Sequence, residues 1–281
     1  MEFDNLITSP FGLGEKLILE LLKRGESVFT IFPTAKDVPM SFLGKKNIKY
    51  GFLKFEQDPL LEKSLPKRVK HVFHIFELYS GKFAKIFRAN TLATLLLLDW
   101  AKSAGVEDFV YLSSGEVYGS GTDLDETSPC KPHGFYATAK YQAEMLLRFY
   151  ERKFTIHTLR VFFTFGSEVK QGFVFGTAEA IRTGDPVESV YHRISPTFSD
   201  DIIAPLLELR GKKEGAVYNL CGSPTNIDAI IKGIGNATGK STERAQIGKV
   251  ELCGNSTRAK NILGYKESPL LEALSSSFAD K

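Results

Sequence analysis

The chain of 281 residues is 43% hydrophobic and 25% charged, apolar enough to bury a substantial core, which excludes a disordered or fibrous protein. Its 36 basic and 33 acidic residues give a formal charge of +3 and are interspersed; no basic stripe marks a nucleic-acid or membrane-surface binder, and the expected ligand is a small molecule. Cys130, Cys221 and Cys253 are too scattered for a disulfide framework or a C-x-x-C metal site, Met1–Asp4 has no basic leader, and the leucine run Leu95–Leu98 is far shorter than a membrane span, so a cytoplasmic protein is expected.

Through residue 165, short β-rich apolar runs alternate with longer helical patterns, the signature of βαβ units and a parallel sheet. The predicted strands are Asn5–Thr8, Ser27–Phe32, Ile48–Leu53, His71–Ile75, Phe109–Leu112 and Thr155–Arg160. Between the first two, Leu17, Leu21 and Leu22 recur at helical spacing until Gly25 stops the run. A long helix is predicted from about Phe83 to Ser103, closed by Gly105, and another from about Phe135 to Arg152, with Met145, Leu146 and Phe149 on an apolar stripe.

After Gly166 the pattern is less regular and is broken by Gly184-Asp185-Pro186, Ser195-Pro196 and Gly222-Ser223-Pro224. The expected architecture is α/β: a doubly wound parallel sheet of Rossmann type over residues 1–165, with a strand near 215–220 returning to it, and a smaller, partly interleaved substrate lobe over 166–281.

The residues that carry chemistry are Ser114, Tyr136 and Lys140. A Tyr-x-x-x-Lys pair alone means little, since ten tyrosines make a chance match expected, and Tyr50 with Lys54 is a second one. Tyr50, however, lies on a predicted strand, whereas Tyr136 and Lys140 lie one turn apart on a predicted helix and share a face. They also follow a strand that ends in Ser113 and Ser114, at the sheet edge where open α/β folds place ligands. An ammonium beside a phenol favours the phenolate, so Lys140 would lower the Tyr136 pKa from its ordinary value of about 10 toward that of a working base. Five histidines show no ligand spacing; His71 and His74, three apart on a strand, point to opposite faces, and no metal is predicted.

Gly105-Val-Glu-Asp-Phe-Val-Tyr-Leu-Ser-Ser-Gly-Glu-Val-Tyr-Gly119, Tyr136-Ala-Thr-Ala-Lys140, Val72-Phe-His-Ile75, Asn90, Leu159-Arg160, Phe198-Ser-Asp-Asp-Ile202 and Asn219-Leu220 together resemble the extended short-chain dehydrogenase/reductases of the NAD-dependent epimerase/dehydratase family. The resemblance covers nearly the whole chain. It implies an NAD(P)-dependent epimerase or ketoreductase acting on a sugar, expected to be nucleotide-linked, and a homodimer joined through the helices at about 83–103 and 135–152. Ser114 and Tyr136 would handle the substrate hydroxyl, Lys140 would also bind the nicotinamide ribose, and Asn90 would help order the site. Glu116 matches a glutamate that serves some family dehydratases as a second acid or base, but Gly115 replaces the neighbouring aspartate, which disfavours dehydration. Arg193-Ile-Ser-Pro-Thr-Phe-Ser-Asp-Asp201 is similar to family 4-keto-sugar reductases. Arg160 and Arg193, the latter in a predicted loop, are candidate phosphate contacts; an interlobe salt bridge is the other reading of Arg160.

The cofactor side departs from the pattern. Where the family has T-G-x-x-G-x-x-G, this chain has Thr8-Ser-Pro-Phe-Gly-Leu-Gly14. Ser9 takes the first glycine position and Gly12 the second, and Gly14 fits the third if the loop is one residue short. No acidic residue stands within Phe32–Lys36, and Lys36 favours a 2′-phosphate, hence NADP. Phe76-Glu77 replaces a small pair, placing Glu77 toward the phosphates, and Phe163 takes the asparagine position of L-R-P-x-N. Thr8, Ser9, Gly12, Gly14, Lys36, His74, Asn90 and Lys140 are the cofactor-side candidates for NAD or NADP. A relative without ordinary NAD binding, working as a non-redox acid/base enzyme or a binding protein, is the alternative.

Overall fold

The computed structural model describes residues 2–55, 61–240 and 245–279. In chain order the first half comprises β1 Glu2–Ile7, α1 Leu13–Lys23, β2 Val28–Phe32, β3 Ile48–Phe52, β4 Arg68–His74, α2 Phe83–Phe87, α3 Ala93–Ala104, β5 Asp108–Ser114, β6 Gly121–Leu124 and α4 Phe135–Leu147. The second half continues with β7 Thr155–Val161, β8 Thr164–Phe165, α5 Phe173–Thr183, β9 Val187–Ile194, β10 Thr197–Phe198, α6 Asp200–Glu208 and β11 Ala216–Leu220. It closes with β12 Thr225–Asn226, α7 Ile227–Thr238, β13 Ala245–Gly254, α8 Thr257–Leu263 and α9 Leu270–Phe278.

A seven-stranded sheet runs in the order β11-β7-β5-β4-β1-β2-β3, and the ladders joining β5, β4, β1, β2 and β3 are parallel. Leu6, Ile7, Val72 and Phe73 are fully buried, as adjacent residues are when helices cover both faces of a parallel sheet. The strand order reverses between β1 and β4, and doubly wound folds place ligands beyond the carboxyl ends of the strands at such a point. β11 lies at the edge of this sheet.

The chain divides into two compact units, residues 1–113, 135–158 and 209–216 forming one, and residues 114–134, 159–208 and 217–281 the other. In the first, Leu6, Val72, Leu97, Trp100, Phe109 and Leu147 belong to one buried cluster. The second contains a four-stranded sheet, β12-β9-β13-β6, absent from the predicted elements. Its inner strand β9 alternates buried Val187 and Ser189 with exposed Glu188 and Val190, so that a polar residue faces in and an apolar one faces out, against the hydropathy pattern expected of a strand. Arg193, expected in a loop, therefore lies on β9, opposite Glu251 of β13.

The helix expected to run unbroken from Phe83 to Ser103 is two α-helices joined by a π-helical turn, Arg88–Leu92. Such turns insert one residue and re-aim its neighbours; this one carries Asn90. The second long helix ends at Leu147 and is continued by a 3₁₀ turn, Arg148–Tyr150.

Candidate active site

At the carboxyl end of β1, the Thr8 hydroxyl oxygen accepts hydrogen bonds from the backbone N–H groups of Ile75 and Phe76, both at 3.0 Å. It lies 3.0 Å from His74 Nδ1, and His74 Nε2 lies 2.8 Å from the Thr94 hydroxyl. Thr94 donates its only hydroxyl hydrogen to the Asn90 carbonyl at 2.8 Å. Its oxygen therefore receives the N–H of His74 Nε2, and Nδ1 accepts from Thr8, which assigns the tautomer from the network. Burial, aided by the positive charge of Lys140, pushes the His74 pKa down to about 3 and keeps the ring neutral. Both ring nitrogens are engaged by threonines, so His74 acts on the loop through Thr8.

Gly14 packs against the same loop so tightly that a Cβ there would lie 1.7 Å from the Ser9 carbonyl oxygen; only glycine fits. Gly12 forms the N-cap of α1 with φ 58°, and no side chain caps this helix end. Lys36 is exposed in a 3₁₀ turn, Ala35–Asp37. The Asp37 carboxylate accepts from the Thr34 N–H at 2.8 Å and the Thr34 hydroxyl at 2.7 Å, so the acidic side chain of this turn caps the turn itself.

On α4, Tyr136, Lys140 and Glu144 recur at four-residue spacing on the buried face. The Lys140 side chain is 1% exposed; its ammonium donates to the Leu112 carbonyl and sits 4.6 Å from the centre of the Tyr111 ring. Burial pushes its pKa down, while the negative charges of Glu77 and Glu144 oppose that shift. The Tyr136 hydroxyl donates to Glu77 Oε2 at 2.6 Å, and the same oxygen lies 3.6 Å from Lys140 Nζ. Glu77, expected toward the phosphates, is thus bound to the phenol and the ammonium.

Asn90 fixes the segment that carries Glu77. Its Oδ1 accepts from the Leu78 N–H at 3.2 Å, and its Nδ2 donates to the carbonyls of Leu78 and Ile86 at 2.9 and 3.0 Å. Glu144 accepts from the Ser113 hydroxyl at 2.5 Å. Sequence reasoning missed both carboxylates as members of this cluster; only the helical spacing of Glu144 from Lys140 could have suggested one of them.

In the second unit, the Ser114 hydroxyl accepts from the Glu116 N–H at 3.1 Å and opens a 3₁₀ turn, Gly115–Tyr118. A Cβ on Gly115 would lie 2.4 Å from the Phe162 ring, so that ring fills the space a side chain at 115 would need. Arg160, 5% exposed, donates to the Tyr118 hydroxyl at 2.7 Å, which in turn donates to Asn219 Oδ1 at 2.9 Å. Phe163 adopts φ 43°, a left-handed conformation that is costly for a bulky residue and that asparagine tolerates better. Its ring packs edge-on to Tyr191 and Phe173, at 5.0 and 6.0 Å. Arg193 Nε lies 3.1 Å from Glu251 Oε1, beside a cavity of about 460 Å³ also lined by Cys253, Thr257 and Lys260.

Residues 13–198 match the NAD dependent epimerase/dehydratase family model. The chain belongs to this family. The match begins at Leu13, directly after the Thr8–Gly12 loop. A UDP-glucose 4-epimerase of Haemophilus influenzae is 27% identical over 222 residues, covering 73% of this chain and 63% of the relative. A UDP-glucose 4-epimerase of Pasteurella multocida is 28% identical over 175 residues, covering 56% of this chain and 52% of the relative. The chain thus matches between half and two thirds of the length of these two family members. Among solved structures, a UDP-glucuronic acid 4-epimerase from Bacillus cereus in complex with NAD superposes with a TM-score of 0.84 at 20% identity, covering 99% of this chain and 96% of that one, a likeness of fold. Among the described residues, no three His, Cys, Asp or Glu side chains are grouped to hold a metal ion, and no helix is long and apolar enough to cross a membrane.

Proposed function

We propose that the chain is an NAD(P)-dependent epimerase or ketoreductase acting on the hydroxyl or keto carbon of a nucleotide-linked sugar. The observation that carries this reading is the Tyr136–Lys140 pair on one buried face of α4, with the Lys140 ammonium bonded to Leu112 near the carboxyl end of β5. The two relatives above, both UDP-glucose 4-epimerases, support the substrate class.

The residues of the first unit fit a nicotinamide dinucleotide. The strand order reverses between β1 and β4, Gly14 allows α1 to close on the β1 loop, and the start of α1 has no side-chain cap. Thr8, Ser9, Gly12 and Gly14 would hold the pyrophosphate side, with His74 fixing Thr8; Lys36 would face the adenosine ribose, and Asn90 and Lys140 the nicotinamide side. When bound, the dinucleotide supplies hydride transfer at the sugar carbon.

The proton work falls to the chain's own side chains. Tyr136 exchanges a proton with the sugar oxygen, and Lys140 sets the electrostatic field around that phenol. Ser114, assigned from the sequence pattern, hydrogen-bonds the sugar oxygen, and Glu116 is the candidate second acid or base. Arg193 is the candidate phosphate contact, whereas Arg160 orders Tyr118 and Asn219. The purified protein, incubated with UDP-linked hexoses or keto sugars and NAD or NADPH, is expected to invert or reduce one carbon, read by NMR of the sugar. Product formation retained in Tyr136→Phe would overturn the role given to Tyr136.

A homodimer belongs to the same proposal. Phe87, Leu92, Met145 and Phe149 are 41, 37, 41 and 82% exposed and line one apolar groove on α2, the π turn, α4 and the 3₁₀ turn after it. A second copy meeting this face would bury it symmetrically. Light scattering is expected to give a dimer for the unaltered chain and a monomer for Met145→Glu combined with Phe149→Glu.

A further inference from the structure

We propose that Glu77 holds Tyr136 in its phenol form and thereby sets this site to deliver a proton to a carbonyl oxygen, so that its favoured chemistry is reduction of a keto sugar. The proposal rests on the reading of Tyr136 as the group that exchanges a proton with the sugar oxygen, and it separates the two reactions left open above.

A tyrosine beside a lysine alone is pulled toward phenolate by the ammonium. Here a carboxylate oxygen accepts the phenol hydrogen at 2.6 Å, a short charge-assisted bond that is lost when that hydrogen leaves the pair. A phenolate at that place would face a second anion at hydrogen-bond distance with no hydrogen between them. The other groups around the pair do not reverse this balance. Lys140 and Glu144 come from α4, and the Lys140 charge is shared between Glu77, Glu144 and the Leu112 carbonyl. From β4 comes neutral His74; from β5, the Tyr111 ring beneath the ammonium; from the segment after β4, the Tyr79 ring, 4.7 Å from that of Tyr136. Among the described residues, the Lys140 cation is thus set with two carboxylates, Glu77 and Glu144.

In the reducing direction, a reduced nicotinamide held by the residues named above would supply the hydride for the new C–H bond; the carbonyl π pair would move onto oxygen, and Tyr136 would give that oxygen its proton. The phenolate left behind regains a proton from water by way of Glu77, whose side chain is 26% exposed. In the oxidising direction Tyr136 would first have to give up the hydrogen it donates to Glu77, leaving a phenolate beside the carboxyl group. Glu77 is therefore a positioning residue, acting on the substrate through Tyr136.

The test is the titration of Tyr136 in the ligand-free protein, followed by NMR of ¹³C-labelled tyrosine ring carbons and assigned with Tyr136→Phe. The expected result is a midpoint at or above about 10 in the unaltered chain and one lower by at least about one pH unit in Glu77→Gln, which keeps the shape and removes the charge. A midpoint below about 10 in the unaltered chain, or one unmoved by Glu77→Gln, overturns the proposal. Circular dichroism checks that the variant is folded; if it is not, the midpoint of the unaltered chain decides alone. Because no nucleotide is present, failure here leaves the nicotinamide-dependent reading standing, and failure of nucleotide binding leaves the Glu77 effect measurable.

Discussion

At the end of β1, Thr8, His74 and Thr94 are joined by neutral hydrogen bonds in which each hydroxyl hydrogen has one destination; near the end of β5, Lys140 is buried between Glu77 and Glu144, and Tyr136 donates into the first of them. Both lie in the first unit, and they are built in different ways. The loop keeps its path through backbone contacts and a neutral relay. The Tyr136 end sets its phenol and ammonium against the Glu77 carboxylate. A loop of the first kind answers to shape, whereas a cluster of the second kind answers to charge, so substitutions should separate them.

The largest effect is expected at the charged end: Tyr136→Phe should lower turnover by on the order of 10²–10⁴-fold while sugar-nucleotide affinity, measured by calorimetry, changes little. At the loop, Gly14→Ala should cost about 3 kcal/mol or more of stability in a denaturant melt, because the added methyl would meet the Ser9 carbonyl at 1.7 Å. A loss of only a few tenths would mean that the loop relaxes freely.

His74 sharpens the contrast through pH. Its folded pKa of about 3 lies below the ordinary 6.5, so between these values the unfolded chain binds a proton that the native chain does not. Its stabilising contribution is full above pH 6.5 and falls as pH drops toward 3, by up to about 1.4 kcal/mol per pH unit. The difference in unfolding free energy between the unaltered chain and His74→Asn should shrink over that window; a pH-independent difference would contradict the neutral relay. The smallest effect is expected from exposed Lys36, where Lys36→Ala should weaken NADPH binding a few-fold and leave NADH binding unchanged, in keeping with an ion pair in water.

Much of the fold was legible because the βαβ half announces itself locally: buried apolar strands such as Val72-Phe73 alternate with helices whose faces repeat at the helical period. The sheet around β9 was not read because Gly184-Asp185-Pro186 and Ser195-Pro196 on either side suggested loops, and because the strand between them buries Ser189 and exposes Val190 and so does not alternate in hydropathy. The reactive pair was legible because four-residue spacing on a helix is a local fact. The partners were not. Glu77 reaches Tyr136 from a segment pinned by Asn90, Phe162 fills the space beside Gly115 from just beyond β7, and Arg160 meets Tyr118 across 42 residues of sequence, contacts fixed by tertiary packing alone.

The most direct test of the nicotinamide-dependent reading is calorimetric titration of the purified, folded chain with NAD, NADH, NADP and NADPH. The expected result is a Kd near or below about a micromolar for at least one of them, with heat lost in Gly12→Asp, which sets a negative charge at the start of α1. No binding up to about millimolar concentration of any of the four would contradict it and leave the Tyr136 cluster to chemistry without a redox cofactor.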